Sequence, residues 1–349
     1  MPTVLATGGL GFIGSHTCSV LLEDGMNVLA VDSLINSDAI TFEKVRSISG
    51  ISADKKKGKF TFKKGDVRDV NFLRGIFNEY ILLGEPINSV IHFAGLKAVG
   101  ESVEDPLKYW DLNLNSTLSL LKVMSEFNCK NLIFSSSATV YKPEILLNKK
   151  VTEDSLLFPI NPYGNTKFTI EKILSDLSAS DPDSWKIANL RYFNPVGAHE
   201  SGLIGENPKD QPNNLLPALI KVINKEKKEL LIFGRDWPTK DGTCVRDFVH
   251  VMDLAEAHVA ALRFLFSNEP QVININIGTG LGTTVLELVQ KFIETNKCIL
   301  PYKFVERRPG DAPYSVADNS KALSILDWKP KRSIEDICKD SWRWNFSNR

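Results

Sequence analysis

Short apolar runs alternate with helical patterns through the first half of the chain. Val4-Leu5-Ala6 reads as a strand, and a helical repeat of apolar positions follows through Leu22 and closes at Gly25. Asn27 to Val31, Phe60-Thr61-Phe62, Ser89 to Phe93 and Asn131 to Phe134 read as further strands. Helical patterns lie between them at Asp69 to Tyr80 and Thr117 to Phe127. Asn161 and Pro162 then open another helix, because asparagine caps well and proline suits a first turn.

Strand–helix alternation predicts an α/β fold with a Rossmann-type, doubly wound parallel sheet. After Asn194 the loops lengthen and proline becomes more frequent. Pro212 to Pro217 opens a helix, Leu230 to Phe233 is a short strand, and Ile334 to Phe346 is an amphipathic closing helix with Trp342 and Trp344 packed inward. The expected division is residues 1–194, with contributions from about 235–270, and a smaller C-terminal α/β substrate-binding lobe over 195–349.

The chain has 349 residues, enough for a large core, and 42 basic against 42 acidic side chains. That balance gives no field to attract nucleic acid or a membrane surface. The basic run Lys55 to Lys59 sits among turn formers and reads as a solvated loop. Five scattered cysteines, with no paired spacing, suggest a reducing compartment and no metal site. No apolar run is long enough to span a bilayer, and the first strand begins without a signal-like flank, so a cytoplasmic protein is expected.

The first chemistry lies at Gly8, Gly11 and Gly14. Strand, glycine turn and helix are the context of a dinucleotide loop, in which backbone N–H groups at the helix start receive a pyrophosphate. The spacing is G-x-x-G-x-x-G rather than G-x-G-x-x-G. Asp32 ends the next strand about 20 residues on, where a carboxylate can hold ribose hydroxyls and repel a 2′-phosphate, favouring NAD over NADP. Asp66, Gly95 and Ser137 also fall at strand carboxyl ends, where ligands of such sheets gather.

Tyr163 and Lys167 are four residues apart and share a helix face. Making the phenol a base near neutral pH requires about 4 kcal/mol. A nearby ammonium supplies about 3 kcal/mol at an effective dielectric near 20, and the helix N-terminus ~0.5. The pair read alone is equally an amphipathic helix with a packed tyrosine and a solvated lysine. Arg246 and Arg308, on separate segments, have the forked geometry that grips a diphosphate; read singly, each is more readily a surface ion pair.

Thr7 to Gly14, Ser135 to Thr139, and Tyr163 with Lys167 together resemble the extended short-chain dehydrogenase/reductase family. His92 to Ser102, Arg191 to Ala198 and Gly242 to Asp253 narrow the resemblance to its UDP-hexose 4-epimerases, almost from end to end. The resemblance implies a bound NAD, held by Gly8, Gly11, Phe12, Ile13, Gly14, Asp32, Ser33, Asn36, Ser37, Asp66, Val67, Phe93, Ala94, Gly95, Lys97, Tyr163, Lys167 and Phe193. It implies UDP-sugar contacts at Lys97, Ser137, Tyr163, Asn194, Asn214, Leu215, Leu231, Phe233, Arg246, Phe248, Val285, Arg308, Asp311 and Ser315. Phe248 stands where the family often has tyrosine.

The implied reaction interconverts UDP-galactose and UDP-glucose through a transient 4-keto sugar, with Tyr163 as base, Lys167 lowering its pKa and Ser137 on the 4-oxygen. A nucleotide-sugar 4,6-dehydratase would need an Asp-Glu pair after the serine, where this chain has Ala138 and Thr139. A non-catalytic NAD-binding scaffold would be marked by loss of the tyrosine or lysine, and both are present. Counting from Arg308 puts Ser315, with Tyr314 one place before it, beside the sugar's C2 substituent. A small residue there admits UDP-N-acetylglucosamine and UDP-N-acetylgalactosamine; a slip of one residue would substitute Tyr314. Leu112 occupies an expected cofactor-contacting asparagine position, with Asn113 next to it, and Lys142 replaces a common glycine. The family is usually a homodimer joined through the helices at Thr117 to Phe127 and from Tyr163. His16 and His250 read as structural.

Overall fold

The computed structural model describes residues 1–50, 58–143, 149–209, 214–308 and 310–347. The Lys55–Lys57 part of the basic run, and Pro212-Asn213, lie outside the described residues. In chain order the elements are β1 (Thr3–Thr7), α1 (Phe12–Glu23), β2 (Asn27–Asp32), α2 (Ile40–Ser49), β3 (Phe60–Lys64), α3 (Val70–Leu82), β4 (Ile87–His92), α4 (Val99–Glu104), α5 (Pro106–Glu126), β5 (Asn131–Ser137) and α6 (Pro162–Ser180). There follow β6 (Lys186–Tyr192), β7 (Asn194–Val196), α7 (Leu215–Ile223), β8 (Leu230–Phe233), β9 (Val245–Arg246), β10 (Phe248–His250) and α8 (Val251–Ser267). The last are β11 (Gln271–Ile277), β12 (Thr283–Thr284), α9 (Val285–Asn296), β13 (Tyr302–Val305), β14 (Tyr314–Ser315), α10 (Ser320–Leu326) and α11 (Ile334–Ser347).

Seven parallel strands form the central sheet in the order β11-β6-β5-β4-β1-β2-β3. Every residue of β1 is buried, as a strand covered on both faces requires. One core, including Val4, Leu21, Ile91 and Leu262, and a second, including Leu5, Leu73, Leu120 and Trp185, fill the layers on the sheet. Strand order reverses between β1 and β4, and their carboxyl ends open a crevice at that point. The seventh strand comes from Gln271–Ile277, just beyond the 235–270 stretch anticipated for this sheet. Its apolar residues alternate with Asn274 and Asn276, and Asn274 accepts a hydrogen bond from its ladder partner Asn189 at 2.8 Å.

Helix α5 starts at Pro106, capped by Asp105, eleven residues ahead of the Thr117 start read from the pattern. The hidden stretch carries buried polar residues, Asn113 and Ser116, that break the apolar repeat. The described C-terminal residues build a third core around Leu216, Leu219, Phe248, Phe292 and Ile337. Small sheets join β10 to β7, β9 to β12 and β14, and β13 to β8. Among the described residues, no helix is long and apolar enough to cross a membrane.

Candidate functional site

The glycine turn is shaped by close approach. Gly8 has φ +68°, and a Cβ there would lie 2.8 Å from the Ala94 nitrogen on the neighbouring strand end. A Cβ on Gly14 would meet the Gly8 carbonyl at 2.3 Å, so α1 packs hard onto the turn that precedes it. Gly11 is the N-cap of α1, without a side-chain cap, and a Cβ on it would meet only the Gly8 carbonyl, at 3.3 Å. The first-turn backbone N–H groups of α1 thus have no side-chain cap, and a helix start of this kind suits an anion. Phe12 and Ile13 begin the helix, and Ile13 packs on the first core.

Asp32 is 8 % exposed and held from three sides. Its carboxylate accepts from Leu10 N at 3.0 Å, Leu34 N at 2.9 Å and the Ser37 hydroxyl at 2.7 Å. Ser33 is half-buried beside it, and Asn36 accepts from Lys209 N at 3.1 Å. Phe93, Ala94 and Gly95 follow β4 directly across the crevice from Gly8. Asp66 is otherwise engaged: Arg68 grips it through its side chain and holds its carboxyl below the usual range. Val67 is buried in the second core. Phe193 is also buried, among Val140, Tyr141, Val151 and Ala317.

At the carboxyl end of β5, three serines meet α6. Asn161 caps that helix, its side chain accepting from Gly164 N at 2.8 Å, and Pro162 occupies the first turn. Lys167 is buried and donates to the Ser135 carbonyl at 2.7 Å, with its Nζ 5.9 Å from the Tyr163 ring centre. Ser137 Oγ accepts from both Thr139 N (3.2 Å) and Thr139 Oγ1 (3.0 Å). With its lone pairs so engaged, its hydroxyl proton remains to donate, and Ser137 is the polar neighbour that works against burial in lowering the Tyr163 phenol.

The electrostatics correct one expectation. Dense surroundings push the Tyr163 phenol up to about 12, and Ser137 only partly opposes this. Burial likewise pulls Lys167 down to about 7, against the pull of Glu171. A lysine that is only partly charged near neutrality cannot deliver the full ammonium attraction that the spacing alone suggests. In the protein without ligand, desolvation wins over the helix pair.

The sugar-facing group also gathers in part. Arg246 and Arg308 converge on Asp311, at 3.4 and 3.1 Å from its Oδ1. The Arg308 guanidinium stands 5.6 Å from the Phe233 ring centre. In β8, Leu230 and Ile232 are buried while Leu231 and Phe233 are exposed, giving an apolar ledge on one face. Lys97 is paired to Glu206 at 2.8 Å, and Asn214 donates to the same Oε1 at 2.7 Å. Leu215 and Val285 begin α7 and α9 at the rim of the third core. Phe248 is 4 % exposed and stays inside that core, in register with half-buried Asn194, which lies at the surface end of the ladder.

Some of the machinery was not singled out from sequence. Glu206 bridges Lys97 and Asn214, yet no pattern in its loop marks it. Asn113, not Leu112, faces the Gly95 loop: it accepts from Leu96 N at 2.7 Å and donates to Thr166 at 3.0 Å. Glu171, one turn beyond Lys167, is locked by Arg191 at 2.7 Å; the four-residue spacing was its available signal. Among the described residues no group of three or more His, Cys, Asp or Glu side chains could hold a metal ion.

Residues 5–341 match the family model described as GDP-mannose 4,6 dehydratase. The UDP-glucose 4-epimerase of Bacillus subtilis (strain 168) is 46 % identical, over 99 % of this chain and 97 % of the relative. The crystal structure of UDP-glucose 4-epimerase from Stenotrophomonas maltophila, with NAD and formylated UDP-arabinopyranose, is 43 % identical with a TM-score of 0.92, covering 100 % of this chain and 99 % of that one. The Bifidobacterium longum enzyme, solved with NAD+ and UDP, is 45 % identical with a TM-score of 0.90 over 99 % and 98 % of the two chains. More distant, at 27 % identity and a TM-score of 0.80 over 100 % and 99 %, is a UDP-N-acetylglucosamine 4-epimerase from Methanobrevibacter ruminantium M1 in complex with UDP-N-acetylmuramic acid. With its glycine crevice, its Ser-Tyr-Lys face and full-length likeness to these enzymes, the chain belongs to the UDP-glucose 4-epimerases and to the family that the GDP-mannose 4,6 dehydratase model describes.

Proposed function

We propose that the protein interconverts UDP-galactose and UDP-glucose by NAD-dependent epimerisation at C4, and accepts the corresponding N-acetyl sugars. The observation that carries the reading is the meeting of Ser137, Tyr163 and Lys167 beside the crevice where strand order reverses. Bound NAD supplies a reversible acceptor for the C4 hydride. Gly8, Gly11 and Gly14 admit its pyrophosphate at the start of α1, and Asp32 takes its adenosine ribose. Tyr163 removes the 4-hydroxyl proton and later returns it. Ser137 donates to the 4-oxygen, and Lys167 holds the nicotinamide ribose and favours the ionised phenol. Arg246 and Arg308 grip the diphosphate, while Leu231 and Phe233 offer the uracil an apolar ledge.

A dehydratase is disfavoured because Ala138 and Thr139 follow Ser137 in a single tight turn and carry no acid or base for a second elimination. A scaffold role is disfavoured by the intact catalytic face. Two lobes divided near residue 194, a homodimer through α5 and α6 and a cytoplasmic setting complete the proposal. Incubating the purified protein with UDP-galactose in deuterated water tests the reading: UDP-glucose should form with its C4 hydrogen retained. Washout of that hydrogen, a 4-keto-6-deoxy product or no turnover would each reject it.

A further inference from the structure

Glu206 joins two distant parts of the chain through a single oxygen. Its Oε1 accepts from Lys97 Nζ at 2.8 Å and from Asn214 Nδ2 at 2.7 Å. Lys97 follows β4, and its Nζ stands 5.6 Å from the ring centre of Phe12, the first residue of α1 beyond the glycine turn. Asn214 precedes α7, whose Leu216 and Leu219 belong to the third core. Among the described residues both partners keep spare capacity: two ammonium protons on Lys97, one amide proton and the carbonyl oxygen on Asn214.

The carboxylate is carried on a well-fastened piece of backbone. Ala198 and Gly205 pair in an antiparallel bridge, and His199 N donates to the Ile204 carbonyl at 3.1 Å across the turn between them. Ile204 is buried in the first core, and a Cβ on Gly205 would meet the Trp344 ring at 2.6 Å. Beyond Glu206, Lys209 N donates to the Asn36 side chain at 3.1 Å and Lys209 Nζ to the Leu34 carbonyl at 2.8 Å, on the loop after β2. The Glu206 side chain is 9 % exposed, whereas that of Lys97 is 46 % exposed. An ion pair so open on one side adds little stability, so its value lies in where it puts the lysine.

Asn214 shows a second effect. Its backbone is that of an N-cap, extended at φ −91° and ψ 150°, with its carbonyl accepting from Ala218 N at 3.2 Å. An asparagine so placed ordinarily accepts from an N–H two or three residues on. Pro217 has none, which leaves Leu216 N as the donor within reach. That bond is not made, and the amide donates to Glu206 instead. We propose that Glu206 is a positioning residue that sets Lys97 in register with Asn214 and holds the Asn214 amide off its own helix, so that both side chains meet an incoming UDP-sugar. The inference rests on the UDP-sugar reading of this site.

Calorimetric titration of the NAD-loaded protein with UDP reads the effect directly. Glu206→Ala should weaken UDP binding by about tenfold or more. KM for UDP-galactose should rise in step, while kcat changes by less than about threefold. The denaturant midpoint should not fall, because Lys97 reaches water and Asn214 turns to cap Leu216 N. Glu206→Gln, whose amide oxygen still accepts from Asn214, should recover most of the affinity. In the double variant Glu206→Ala/Asn214→Ala the loss should stay well short of the product of the two single losses, since both act through one contact. Unchanged UDP affinity in folded Glu206→Ala overturns the proposal, and so do losses that multiply in the double variant. A Glu206→Gln protein as weak as Glu206→Ala overturns it too, as does a lowered midpoint, which would make the residue a brace of the fold. An unaltered protein that bound UDP yet failed to epimerise would reject the catalytic reading instead, and the UDP affinities would still decide the role of Glu206.

Discussion

Ser315 and Tyr314 are adjacent in a two-residue strand and therefore face opposite ways. In the parallel ladder Ser315 lies opposite Arg246 and Tyr314 opposite Val245. A Cβ on Gly282 would touch both Val245, at 2.7 Å, and Tyr314, at 3.6 Å, so those two share the face away from the arginine. The pleat thus favours Ser315 for the gate beside the sugar's C2 substituent. Ser315→Tyr should lose activity on the N-acetyl sugars by tenfold or more, about 1.4 kcal/mol, while keeping galactose turnover, as competing kinetics would show. The catalytic pair makes a separate prediction. Lys167 sits at about 7 against an ordinary 10.5, so between those values the unfolded chain binds the proton more tightly. Its contribution to stability therefore rises as pH climbs from about 7 towards 10.5. Tyr163 has the opposite sign: ordinarily 10.0 and raised to about 12, it lowers stability as pH passes above 10. Denaturant unfolding of the protein and of Lys167→Met across pH 7 to 10 should show the unaltered protein gaining on the variant.

Helix α6 turns one local choice into catalytic geometry. Asn161 satisfies Gly164 N and sets where the first turn begins, two residues before Tyr163. Asn161→Ala should cost about 1 kcal/mol of stability by denaturant titration and lower kcat more than it alters KM. The cap, the proline and the four-residue spacing were legible because they are local. So were the strands, whose apolar runs are nearly continuous. The start of α5 was not legible, because Asn113 is buried for its hydrogen bonds to the Gly95 loop and α6 rather than for an apolar face. The raised Tyr163 phenol was hidden for a related reason. Helical spacing reveals neighbours on one face, whereas desolvation depends on the strands and loops that close over it. Glu206 illustrates the same limit, since its importance lies in partners 109 and 8 residues away in the chain.

At the scale of the molecule, three histidines are buried neutral in different layers. His16 and His92 are pulled to about 3 and His258 to about 4, in each case chiefly by burial. Their folded values lie below the ordinary 6.5, so the stability they permit is present above that pH and drains away as pH falls towards 3. Three such groups together impose a slope of roughly 4 kcal/mol per pH unit below about pH 6. Against a total of about 5–15 kcal/mol, this predicts cooperative acid unfolding well before the carboxylates are fully protonated. Circular dichroism between pH 7 and 3.5 checks it, and His16→Asn or His92→Asn in a protein that still folds should make the transition shallower. The sheet order itself follows from right-handed strand–helix crossovers. The seventh strand was harder to place, because each β11 residue pairs with a β6 residue 85 positions earlier in the chain, as Gln271 does with Lys186.

Asp311 gives the sugar end a property that the arginines alone would not have. Because Arg246 and Arg308 already share its carboxylate, the diphosphate enters a site in which one of the two positive charges is answered from within. Binding is then an exchange of one anion for another rather than the filling of a bare cationic trap. Such a site discriminates by the uridine and sugar carried on the diphosphate, and simple phosphate competes poorly for it. The same resident carboxylate stands ready to take back the two guanidinium groups when the product leaves, so tight recognition need not become slow release.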